Sequence, residues 1–139
     1  MPVKFKIDDA SGAVFAEARG IVSFAELVDY ITAKEEQGLM GIPELFDARD
    51  TTLDLSVSDL KKLASKTAEA LGTKVAGRVA VVTNSAFIYG LAQAYAVLAR
   101  QVQPTFAIFK DAEEARIWLL GLGGMHRESN RNESRAAEC

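Results

Sequence analysis

The chain predicts an α/β fold: a five-stranded, mostly parallel sheet with its first strand antiparallel in a hairpin, elements in the order ββαβαβαβα. Short β-branched or aromatic runs alternate with longer segments whose apolar residues recur at helical spacing. The longer segments open on capping signatures. Strand-helix alternation is in turn the mark of parallel strands joined by right-handed crossovers.

Val3 to Asp8 alternates apolar and polar residues, turns through Asp9, Ala10, Ser11 and Gly12, and resumes as Ala13 to Arg19, the pattern of a β-hairpin. Gly20 releases the chain into a helix. Ser23 and Glu26 have capping-box spacing, Val22 and Leu27 staple across it, and Phe24, Leu27, Val28 and Ile31 form the stripe to be buried, with Gly38 beyond the end. After Pro43, Glu44 to Ala48 reads as a strand and Arg49 to Leu55 as a polar connection. A second helix repeats the design: Ser56 with Asp59, Leu55 stapled to Leu60, a stripe of Leu60, Leu63, Ala64, Thr67 and Leu71, and Gly72 at the stop. Arg78 to Thr83 is a continuous apolar strand of the kind covered on both faces. A third helix runs from about Ala86 to Arg100. Thr105 to Phe109 forms the last strand, and Asp111 with Glu114 caps a helix carrying Ala115, Trp118, Leu119 and Leu122 on one side. Residues 1–120 are expected to form one folded domain, and residues 121–139 a polar, flexible tail.

Composition narrows the function classes. The chain has 139 residues, 49% hydrophobic and 25% charged, which suits one packed core. Its one histidine, His126, and one cysteine, Cys139, both fall in the tail. The folded part therefore lacks the groups that most metal sites and nucleophile-base pairs use near neutral pH, and no cofactor is expected. Net charge is -3 with both signs interspersed, which points away from nucleic acid. The alternating N-terminus is unlike a secretory signal, so a cytoplasmic protein is expected. No charge occurs between Arg78 and Arg100, but Thr83, Asn84 and Ser85 break that run into a strand and a helix, so no transmembrane segment is read there.

Open α/β sheets bind ligands beyond the carboxyl ends of their strands, where helix N-termini present free N-H groups. That rim would comprise Asp47, Arg49 and Asp50, then Thr83, Asn84 and Ser85, then Lys110 and Asp111. Capping and turn chemistry alone explain residues of these types at these positions. Ser56 and Ser58 are candidate phosphoacceptors at a helix N-terminus, opposed by Asp54 and Asp59. Asp47, Asp50 and Asp54 offer oxygen ligands for a cation but lack the density of a calcium loop. The third helix is the unusual one. Phe87, Ile88, Tyr89, Leu91 and Tyr95 spread around it, Gln93 is nearly its only strong polar group before Arg100, and alanines and Gly90 permit close approach. It is covered by its own domain, by a second copy of the chain, or by an apolar ligand.

The order of elements, with "GIVSFAELVDYI", "ELFDARD", "RVAVVTNSAFIYGLAQAYAVLA" and "FAIFKDAEEARIWL", resembles the SpoIIAA-like branch of the STAS superfamily (sulfate transporter and anti-sigma factor antagonist domains) over residues 1–120. The resemblance implies the fold above. It also implies action through binding partner proteins, and a structural kinship to CRAL-TRIO domains that suggests lipid binding. Antagonist relatives carry a phosphorylatable serine in an Asp-Ser pair, which Asp54-Leu55-Ser56 interrupts; the small branch often has arginine where Gln93 stands. The leading expectation is a non-catalytic STAS-like binding or regulatory module working as a homodimer through the third helix. The alternatives are a carrier of a small apolar ligand or lipid, and an enzyme using Asp50, Asn84 or Lys110.

Overall fold

A computed structural model describes residues 2–121, so the polar segment after Gly121, with Leu122, His126 and Cys139, lies outside the described residues. The elements are β1 (Val3–Ile7), β2 (Val14–Ser23), α1 (Phe24–Glu36), β3 (Glu44–Asp54), α2 (Val57–Leu71), β4 (Val79–Val82), α3 (Ala86–Leu98), β5 (Phe106–Phe109) and α4 (Ala112–Leu120). They form one five-stranded sheet in the spatial order β1-β2-β3-β4-β5. β1 is antiparallel to β2 and every other neighbour is parallel.

Three consecutive parallel steps in one direction, made right-handed, put all three crossover helices on one face. Accordingly α1, α2 and α3 lie side by side over a core of Val3, Ala18, Val22, Tyr30, Leu60 and Leu63. α4 takes the opposite face, where Ala115 and Leu119 pack on Leu45, Ala80 and Val82. Arg78 clasps it, donating from Nη1 to the Trp118 carbonyl at 2.6 Å with its guanidinium 5.4 Å from that indole.

The caps follow the sequence. Ser23 and Ser56 each accept from the N-H three residues on, while Glu26 and Asp59 return the bond to the cap's own N-H. At α4 the detail differs: Asp111 accepts from Glu113 N rather than forming a reciprocal box with Glu114.

Two strand boundaries depart from the sequence reading. β2 does not end at Arg19 but continues through Gly20 (φ 69°) to Ser23, and β3 continues to Asp54 where a polar connection is expected. The extensions pair with each other, Arg19 with Asp50 through Ser23 with Asp54, making a ribbon beyond the end of β4. Between Asp47 and Asp50 β3 advances three residues while β2 advances two, from Glu17 to Arg19. This bulge re-phases the strand. Glu44, Phe46 and Ala48 face the three helices before it, and Leu53 and Leu55 face them after it.

The segments entering β3 and β4 touch through their backbones. A Cβ on Gly77 would stand 2.7 Å from the Gly41 carbonyl oxygen and 2.8 Å from Pro43 N, whereas one on Gly90, inside α3, would meet nothing. Gly77→Ala is expected to lower stability by about 1–3 kcal/mol through overpacking. Gly90→Ala should raise it by about 0.5–1 kcal/mol through helix propensity, both measured by urea unfolding.

Candidate functional site

The rim residues are held in local pairs. Arg49 donates from Nε and Nη2 to the two oxygens of Asp47, at 3.0 and 2.7 Å, and its backbone N-H adds a third bond at 3.1 Å. Partial burial alone would raise the Asp47 carboxyl, but the bonds and charge of Arg49 outweigh it and hold it below its ordinary value; Asp47 in turn holds the Arg49 guanidinium up. Asp50 lies opposite Arg19 across the ribbon, so Asp47 and Asp50 are strand residues rather than turn residues. Ser85 accepts from Ile88 N at 3.2 Å as the α3 cap, and its own N-H donates to Thr83 Oγ1. Asn84 and Lys110 are exposed on either side of the Thr83 N to Phe109 O bond that joins β4 and β5. Asp47, Asp50 and Asp54 are strung along β3, and among the described residues no group of three or more His, Cys, Asp or Glu is placed to share a cation. Ser56 is engaged as the α2 cap, with Ser58 exposed in the first turn.

Helix α3 divides the residues singled out on it. Phe87 and Tyr89 point outward, at 62% and 37% exposure, together with Val97 at 61% and Leu98 at 38%. Ile88, at 3%, is closed to a second subunit, and with Leu91 and Tyr95 it lines a cavity beneath the helix instead. Among the described residues no helix is long and apolar enough to cross a membrane.

That cavity lies between the sheet and α1, α2 and α3 and has a volume of about 140 Å³. It opens to solvent, so it is an apolar cleft in the helix-bearing face rather than a sealed void. Its walls are mostly apolar, including Leu27, Ile31, Leu60 and Ile88, but polar groups gather where β3 begins. Lys34 and Glu44 form a buried ion pair there, and Tyr30 Oη donates to Glu44 Oε2 at 2.6 Å. Tyr95 Oη donates to Gln103 Oε1 at 2.9 Å, so the Thr67 hydroxyl, 3.2 Å away, gives its proton to Tyr95. Burial drives the Tyr30 hydroxyl well above its ordinary pKa, aided by the charge and hydrogen bond of Glu44. Burial likewise pushes Tyr95 up to about 12, with Thr67 opposing and Glu44 adding to the shift. Sequence reasoning missed this cluster, although Lys34 stands three residues past Ile31 on the stripe of α1, a position that only a paired lysine can occupy.

A second hollow, of about 500 Å³, runs beside α4 over Lys4, Lys6, Phe15, Glu17, Asp47 and Arg116. It exists because α4 packs over β3, β4 and β5 and leaves the β1-β2 half of that face open.

No family model matches the chain, and no curated protein matches it. Among solved structures it is similar to an uncharacterized protein of the DUF3478 family with a SpoIIAA-like fold from Shewanella loihica PV-4. The TM-score is 0.57 and the identity 20%, over 84% of this chain and 91% of that one. The chain therefore has a SpoIIAA-like fold, the architecture read from its sequence. At that identity the likeness speaks to the fold alone and does not bear on kinship to CRAL-TRIO domains.

Two outcomes test the buried polar cluster. Lys34→Met leaves the Glu44 carboxylate without its cation and should cost about 3–5 kcal/mol in urea unfolding, much of it recovered by Lys34→Met with Glu44→Leu. Tyr95 has a folded pKa above its unfolded one, so its contribution is complete below about pH 10 and is lost as pH rises through the folded value. The urea midpoint should accordingly fall as pH climbs from about 10 toward the folded value of about 12, and less steeply in Tyr95→Phe.

Proposed function

We propose that this protein is a non-catalytic binding or regulatory module that works as a homodimer through the outer face of α3. One observation carries the reading: Phe87, Gly90, Val97 and Leu98 recur at helical spacing along α3, and Phe87, Val97 and Leu98 remain exposed once the sheet and α2 have taken their share. No charged side chain on α3 makes that face costly to bury. A two-fold interface places the same patch on both partners, so an uncharged helix face can serve as its own complement. The non-catalytic part of the reading is supported by the rim, where Asp47 and Arg49 neutralise each other and Ser56, Ser85 and Asp111 cap helices.

Sedimentation at tens of micromolar should show a dimer. Val97→Lys, which puts an ammonium into the centre of the face, should weaken association at least about tenfold, equivalent to about 1.4 kcal/mol, with unchanged circular dichroism. A wild-type protein that sediments as a monomer at that concentration would remove the dimer from this proposal.

A further inference from the structure

We infer that the cavity between the sheet and α1, α2 and α3 is a binding site for a small, uncharged, mostly apolar molecule bearing one hydroxyl, seated with that oxygen at the Lys34-Tyr95-Gln103 end. The inference is independent of the proposed dimer, which uses the opposite side of α3.

Size comes from the volume. An apolar cavity of about 150 Å³ accepts benzene in a folded protein, and this one measures about 140 Å³. Six to eight heavy atoms, about one ring and a substituent, fill such a space. The apolar part follows from the walls, in which Leu27, Ile31, Leu60 and Ile88 present only hydrocarbon.

Charge is settled by the ion pair. Lys34 and Glu44 are both buried and neutralise each other. An anionic ligand would have to share Lys34 with Glu44, and a cationic one would have to compete with Lys34 for Glu44; either leaves a like charge close by in a poorly solvated site. A neutral molecule meets neither cost.

The hydroxyl follows from hydrogen-bond capacity. Lys34 Nζ carries three N-H groups and gives one to Glu44; Gln103 accepts from Tyr95 on its oxygen and carries two N-H groups on Nε2. The remaining donors of both side chains, which line the cavity, have no hydrogen-bond acceptor among the described residues. Lys34 is 6% exposed, so water serves it poorly. A ligand oxygen at this end accepts from Lys34 Nζ or from Gln103 Nε2, and its proton can go to the Glu44 carboxylate or the Tyr95 oxygen.

Phenol and toluene, which match in shape and differ by hydroxyl against methyl, provide the test, with benzoate as the charged comparison. Titrated into the full chain and followed by amide NMR shifts, phenol should give saturable changes centred on Thr67, Tyr95 and Gln103. Toluene should bind at least fivefold more weakly, and benzoate should give no saturable change there. Ala92→Leu projects into the cavity from α3 and should abolish phenol binding while leaving the melting temperature equal or higher; Ala48→Val does the same from the sheet if the first variant fails to fold. Gln103→Met should bring phenol down to the level of toluene. Shifts that fail to saturate, shifts scattered over the surface, or equal phenol binding by a folded cavity-filled variant would overturn the site. Toluene or benzoate binding as tightly as phenol would overturn the ligand class.

Discussion

The handedness of strand-helix-strand connections governs this molecule. With β2, β3, β4 and β5 laid down in one direction, right-handed crossovers leave α1, α2 and α3 no face but the same one. Three helices are then abreast over one face and a single helix, α4, is left for the other. The crowded face holds the main core and the apolar cavity; the sparse one leaves the hollow beside α4. The bulge in β3 belongs to the same constraint. By inserting one residue after Asp47 it keeps Leu53 and Leu55 turned toward the crowded side, so the ribbon beyond β4 still contributes to that core.

Helix α3 lies last in the row and has α2 on only one flank. A helix in the middle of the row is covered on both sides; the last one needs cover from elsewhere or a polar face, and α3 has no charged residue. Its inner side is engaged: Ile88 and Ala92 are buried, and Tyr95 joins Thr67 and Gln103 in a chain of hydrogen bonds. Its outer side carries Phe87, Val97 and Leu98. The two sides therefore pose separate physical problems, an open apolar cleft and an uncovered apolar surface. The Lys34-Glu44 pair bears on the first. Its two charges cancel, and Tyr30 satisfies a further lone pair of the carboxylate, which is the condition for keeping ions in a low-dielectric interior.

The interactions that are local in sequence were legible without coordinates. Ser23 with Glu26 and Ser56 with Asp59 are three residues apart, so the capping box needs no distant partner. The stripes of α1 and α2 follow from periodicity, and the order of elements implies parallel strands. The extensions of β2 and β3 were not legible, because Arg49, Asp50, Thr52 and Asp54 have the polar look of a loop. They are strand only because each segment supplies the other's hydrogen-bonding partner across some thirty residues.

The candidate sites divide along the same line. The sequence puts the single histidine and cysteine past residue 121, beyond the described residues, and sets the third helix apart as apolar, both being properties of the chain read in order. Which flank of that helix is covered depends on the direction in which successive strands are added. That Lys34 meets Glu44, that Tyr95 meets Thr67 and Gln103, and that a cavity remains between them depend on three helices and a sheet closing around a common interior. Side-chain spacing along one helix specifies that helix's own faces; only packing against other elements decides what those faces meet.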